Sequence, residues 1–162
     1  MAVPTLFKAL QASPLGSTIS QSTWMFPTIE TVHVVAVATV IGTIAMVDLR
    51  LLGVSAKARP ASALIHEFLP WTWGAFALAL VSGGLLFSSR AADYMALPYF
   101  VAKFGIMAVA AVNMLVFHLT TEKHIAGWDL GKPATGARVA GALSLLLWTA
   151  IVICGRRVGF SL

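Results

Sequence analysis

Apolar residues along this chain gather into four long segments separated by short polar ones. The first runs from about Pro27 to Val47 and continues as helix to Leu52. Its uncharged core, Val34–Val47, lies between Glu30 and His33 at one end and Asp48 and Arg50 at the other. The second, Phe68–Ser89, carries no charged residue and can begin as early as Ser62, Pro70 then being a kink and not a boundary. The third runs from about Pro98, a favoured first-turn residue, to Leu119. The fourth runs from about Ala137 to Gly155, just before Arg156 and Arg157. Each approaches the roughly 20 apolar residues that a helix needs to cross about 30 Å of hydrocarbon. Valine-rich stretches such as Val32–Val40 would read as strand in water, but an open strand in a bilayer leaves its backbone groups unpaired. The links, at about Gly53–Ala61, Arg90–Leu97 and Thr120–Gly136, are short and favour antiparallel neighbours. The expected fold is all-α, an integral-membrane four-helix bundle running up-down-up-down. Residues 1–26 are expected to form an N-terminal interfacial segment, with a short amphipathic helix over Pro4–Gln11 and an anchor of Trp24, Met25 and Phe26. Residues 27–162 form the four-span domain. Both termini then lie on one membrane face, side A, opposite side B.

Composition agrees with a membrane setting. Of 162 residues, 59% are hydrophobic and 10% charged, against about 25% charged in a soluble domain. Mean hydropathy is +0.88, far from the polar balance of a disordered chain. The single cysteine, Cys154, excludes an intrachain disulfide and a CxxC redox pair. The net charge of +5 comes without a basic helix or an aromatic-interleaved basic patch, so lipid and not nucleic acid is the expected partner. The N-terminus does not read as a cleavable signal: Lys8 is its only basic residue, and no long apolar run precedes the polar stretch Ser13–Ser22. Arg50, Lys57, Arg59, Lys123, Lys132 and Arg138 flank side B, against Lys8, Arg90, Lys103, Arg156 and Arg157 on side A. The positive-inside rule therefore turns side B towards the cytoplasm, by a narrow majority.

Ionisable groups inside apolar helices are costly and point to function. On the first span Glu30, His33, Val37, Val40, Ile44 and Asp48 share an arc of about 80°, which should face protein. Glu30, one turn before His33, is placed to orient its imidazole. Asp48 and Arg50, two residues apart, should each pair elsewhere: with another helix or, for Arg50, with a lipid headgroup. Side B gathers His66, His118 and His124, with Glu67 beside His66 and Glu122 one turn after His118. If the second and third spans are neighbours, His66 and His118 lie at similar depth. With Glu122 they form a candidate site for copper, zinc or iron, or as two imidazoles for a b-type haem. His33 lies in the other half of the membrane and cannot share that site. Lys103 should snorkel to side A or pair with Glu30 or Asp93, and Asn113 should bond across to another helix. Met107 and Met114 read as packing. Small residues at i,i+4 (Ala38 and Gly42; Ala75, Ala79 and Gly83; Ala137 and Gly141) mark possible close helix contacts.

Taken as whole patterns, the chain resembles a poorly characterised family of small four-span bacterial inner-membrane proteins. The matching pieces are Trp24-Met-Phe-Pro-Thr-Ile-Glu30-Thr-Val-His33, Asp48-Leu-Arg-Leu-Leu-Gly53, Leu69-Pro-Trp-Thr-Trp73, Gly83-Gly-Leu-Leu-Phe87 with Ala91-Ala-Asp-Tyr94, and Lys103 followed by Asn113 to His118. In size and helix count that family is distantly similar to copper-resistance membrane subunits and small b-type cytochromes. The two-haem ligand pattern of b561-type cytochromes does not map, because His33 lacks a partner on side A.

Three functions follow as expectations. The first is a redox or metal-binding membrane protein holding one haem b or copper ion between the second and third spans, with cofactor candidates His66, His118 and His33 and a quinol or membrane cytochrome as partner. The second is an accessory or assembly subunit with no cofactor, its polar residues pairing across helices in a homo- or hetero-oligomer. The third is an oligomeric proton relay or transporter built on Glu30, His33, Lys103 and Asp48. No serine-hydrolase or zinc-protease spacing is present.

Overall fold

The structure is a computed structural model that describes residues 4–161. Four helices are long and apolar enough to cross a membrane: α3 (Met25–Leu51), α4 (Ala61–Ser89), α6 (Pro98–Val116, continuing through two irregular turns to Gly127) and α7 (Thr135–Phe160). They are 27, 29, 30 and 26 residues long, so each is roughly 40 Å or more end to end and extends past the hydrocarbon at its ends. No strand occurs among the described residues. The chain folds as an all-α bundle with antiparallel successive spans, and its outer faces present valine, leucine and phenylalanine suited to lipid contact.

Three short helices complete side A: α1 (Thr5–Gln11), α2 (Pro14–Gln21) and α5 (Ala91–Ala96). The polar stretch after Gln11 is thus helical. Ser13 caps α2 by accepting from the Gly16 N–H at 3.2 Å, and Pro14 takes the first-turn position where its missing N–H costs nothing. Gly16 lies so close to the end of α4 that a Cβ there would be 2.5 Å from the Ser88 carbonyl oxygen. Gln11 in turn caps α5, its Oε1 accepting from the Ala92 N–H at 2.9 Å.

On side B, α3 ends in a glycine cap. Gly53 adopts φ +73°, the left-handed conformation that a side chain disfavours. Its N–H bonds the Arg50 carbonyl at 2.9 Å, and the Val54 N–H bonds the Leu49 carbonyl at 3.0 Å. The start of α4 is capped from 67 residues away. Asp129 accepts from the Ser62 N–H and hydroxyl, each at 2.8 Å, and its carbonyl accepts from the Ala61 N–H at 3.1 Å. Arg50, 1% exposed, ties the same corner by donating to the carbonyls of Arg59 (3.0 Å) and Asp129 (2.7 Å). It therefore reaches the two side B connections, where the sequence pointed to another helix or a headgroup.

Packing departs from the expected arrangement in one respect. α3 lies along α4, α6 along α7, and α3 against α7, while α4 and α6 make no comparable close approach. Their separation is bridged at both ends. On side A the Phe87 ring of α4 stacks on Phe100 of α6, centroids 5.5 Å apart, with Tyr94 against both rings and Phe7 edge-on to Phe87. On side B, Ala61 and Ile65 of α4 share a buried cluster with Leu51, Phe117, Trp128 and Ala137. Between these bridges the wall of the bundle is open.

Candidate functional site

The opening leads to a cavity of about 210 Å³ in the side B half of the bundle. α3 contributes Val40, Ile44, Val47, Asp48 and Leu51, while α4 contributes Ile65, Leu69, Thr72, Trp73 and Phe76. α6 adds a stripe from Met107 through Ala111 and Met114 to His118, and α7 adds Ala140, Ser144 and Trp148. Most of this surface is apolar. Trp73 (50% exposed) and Met114 (38% exposed) sit on the rim from opposite sides, so the mouth faces the surroundings of the bundle between α4 and α6.

Few polar groups line the cavity, and most are satisfied. The Thr72 hydroxyl donates to Phe68 O and lies 2.8 Å from Thr43 Oγ1 of α3. Asn113 Nδ2 donates to Ala140 O at 3.0 Å, the cross-helix bond expected of it. His118 Nδ1 meets Glu122 Oε2, one turn on. The Glu122 carboxylate engages Nδ1 and orients the ring, leaving Nε2 for another partner. His118 stands in the π-type turn Phe117–Thr121, a local widening of a helix that recurs at functional sites. Asp48 is the exception. It is 5% exposed, and its Oδ2 finds no hydrogen-bond partner among the described residues.

The sequence-predicted residues divide sharply on geometry. His118 and Glu122 pair as expected, and His118 reaches the cavity. His66 does not: it is exposed on α4, one residue beyond the inward-facing Ile65, and Glu67 beside it pairs with Arg59. The His66–His118 pair is therefore not assembled, because a step of about 100° around the helix separates His66 from the face that lines the cavity. No group of three His, Cys, Asp or Glu that could hold a metal occurs among the described residues. His124 is exposed, with Nδ1 on Thr120 O.

On α3 the stripe His33–Val37–Val40–Ile44–Asp48 turns inward, but Glu30 is exposed. Glu30 lies near the first turn of α3 on side A, within reach of interfacial water, and its expected bond to His33 is absent. His33 instead bonds Ser82 Oγ at 3.1 Å and lies over Gly83, where a Cβ would be 2.9 Å from its Cε1. It is thus part of the α3–α4 seam. Lys103 pairs with neither Glu30 nor Asp93: its Nζ lies against α7 near Gly155. Trp128 is buried in the side B cluster, whereas Trp71 and Trp73 are exposed.

Asp48 and Asn113 share their cavity with Thr72 and Ser144, a grouping that the sequence does not announce. The signal was the common depth of these residues on four helices. The missing information was azimuth, which depends on how the helices are packed.

A bundle of four membrane-length helices with an apolar cavity open to one side defines a small multi-pass membrane protein. The chain belongs to a family of unknown function, DUF6644, whose model matches residues 7–161. No match was found among curated proteins or among solved structures.

Proposed function

We propose that this protein binds a lipid-soluble small molecule of the quinol class, which enters sideways from the bilayer between α4 and α6. The observation that carries the reading is Asp48 Oδ2, a buried oxygen without a partner in an otherwise apolar cavity. An unpaired buried polar atom costs roughly 1–3 kcal/mol, and a ligand hydroxyl would recover it. His118 Nε2, not engaged by Glu122, supplies a second hydrogen-bonding point for a molecule with two hydroxyls. The apolar walls suit its ring. The basic majority of side B supports a reading in which that face is turned to the cytoplasm of a bacterial inner membrane.

The test is titration of the purified protein in lipid nanodiscs with a short-chain benzoquinol, read by the fluorescence of Trp73 and Trp148, which line the cavity. Saturable quenching in the wild type, lost in Asp48→Leu, supports the reading. No saturable change in the wild type overturns it.

A second reading has its own observation. Met107, Met114 and His118 lie on the cavity-lining stripe of α6, and thioethers with imidazole suit copper(I). Here a thioether takes the place expected of His66, as it would in a haem with histidine–methionine ligation. Metal analysis and an absorption spectrum of the same preparation, repeated with Met114→Leu, test it. Absence of quinol, copper and haem together would favour the accessory-subunit reading.

A further inference from the structure

A second concavity, of about 410 Å³, lies on side B between the turn that follows α3, the segment Leu130–Pro133 and the first turns of α7. Its lining includes Arg50, Lys57, Lys132 and Arg138 and no acidic residue. These cations come from segments some 75 positions apart, joined where Pro133 packs beside Gly53: a Cβ on Gly53 would be 3.4 Å from Pro133 Cδ.

The four acidic residues of side B are all turned elsewhere. Glu67 pairs with Arg59, and Glu122 with His118. Asp129 is turned to the start of α4, and Asp48 lines the other cavity. The floor of the concavity is unusual in its own right. Arg50 is 1% exposed, is held only by the carbonyls of Arg59 and Asp129, and makes no ion pair among the described residues. The Asp129 carboxylate is close enough to feel its charge but makes no direct pair with it. A buried cation without a direct ion pair is costly, and an anion seated above it would offset that cost. α7 adds to the positive field, since it begins two residues after Pro133 with no side-chain cap on its free N–H groups. The concavity adjoins the ends of two membrane-length helices, α3 and α7, where a bilayer would present its headgroups.

We propose that this concavity is a binding site for a phosphate group, with Arg50 as its fixed floor and Lys57, Lys132 and Arg138 closing on the anion. Two sources carry that chemistry: the headgroup of an anionic phospholipid and a free phosphate-bearing anion. Arginine and lysine suit both, the guanidinium by its planar fork and the ammonium as a mobile point charge.

The experiment uses the full chain in a neutral detergent, titrated separately with inorganic phosphate and with dihexanoyl-phosphatidylglycerol below its micelle concentration, and followed by calorimetry. Saturable binding of either supports the site. Binding of both with similar affinity identifies free phosphate as a sufficient ligand, and binding of the lipid alone identifies the headgroup source. In Lys57→Gln/Lys132→Gln/Arg138→Gln, with circular dichroism and elution volume unchanged, affinity should fall at least about tenfold. Lys123→Gln, which removes a side B cation outside the concavity, should leave affinity within about twofold. If the triple variant does not fold, Lys132→Gln alone serves and should weaken binding by at least about threefold. The proposal is overturned if the wild type binds neither probe, if the folded variant binds as well as wild type, or if Lys123→Gln weakens binding equally.

Discussion

Asp48 shows what a single side chain can reveal in a membrane bundle. Its carboxyl is buried, with Ser144 of α7 beside it and one oxygen, Oδ2, unpartnered. A position optimised for stability would hold leucine. We therefore expect Asp48→Leu to raise the melting temperature of the ligand-free protein, by an amount corresponding to about 1–3 kcal/mol, and to abolish quinol binding. Scanning fluorimetry and the fluorescence titration check the two halves; a destabilised Asp48→Leu would show that the carboxyl is structural. Asp129 is the opposite case, an acid whose every contact is used. The Ser62 N–H is foremost in holding its carboxyl below the usual carboxylate range, with further help from the Ser62 hydroxyl, the Ala61 N–H and the Arg50 charge. Since the folded value is the lower one, the cap stabilises fully above the unfolded value near about 4, and this contribution is lost as pH falls through the folded value. Asp129→Ala should cost about 1 kcal/mol at pH 7. The difference in melting temperature from wild type should shrink below about pH 4, and a difference constant down to pH 3 would disprove the cap's role.

Among the helices, the small-residue pairs behave differently although they look alike in sequence. Gly141 lies where α7 crosses α3, and a Cβ there would be 3.0 Å from the Asp48 carbonyl oxygen and 3.1 Å from Leu51 Cβ. Gly42 has nothing within 4 Å of the same position, and Ala38 beside it is exposed. Gly141→Ala must push backbone from backbone and should destabilise by about 1–3 kcal/mol. Gly42→Ala should be neutral or stabilising by up to about 1 kcal/mol, since it only removes a helix-interior glycine. Equal effects in reversible unfolding would show that helix propensity, not the crossing, governs both. This contrast also marks how far the chain can be read unaided. Span number, length and depth are legible because hydrophobic length is set by the bilayer, and Asn113 is legible because a buried amide must find a carbonyl. Azimuth is not: Gly42 and Gly141, or Ile65 and His66, differ only in how neighbouring helices are placed. Caps supplied from a distance are hidden as well. Ser13-Pro14 carried a readable local signal for α2, but nothing near Ser62 announces Asp129.

For the whole molecule, the two ends of the bundle are closed by different means, and the opening lies between them. Side A is held by the ring stack of Phe7, Phe87, Tyr94 and Phe100, with α1, α2 and α5 laid across it. Side B is held by Arg50 and Asp129, which join the connection before α4 to the segment before α7. These closures require that the α3–α4 and α6–α7 connections share one membrane face and that the N-terminal helices and the end of α7 share the other. In a Cys154→Ala background, single cysteines at Thr5 and Ser161 should react with an impermeant maleimide from one side of sealed vesicles. Cysteines at Lys57 and Lys132 should react only from the other side. If the basic majority of side B sets the orientation, the second pair is protected in intact cells and labelled in inverted vesicles. Labelling of Thr5→Cys and Ser161→Cys from opposite faces would mean an odd number of crossings, and the cavity between α4 and α6 would lose the antiparallel frame that shapes it.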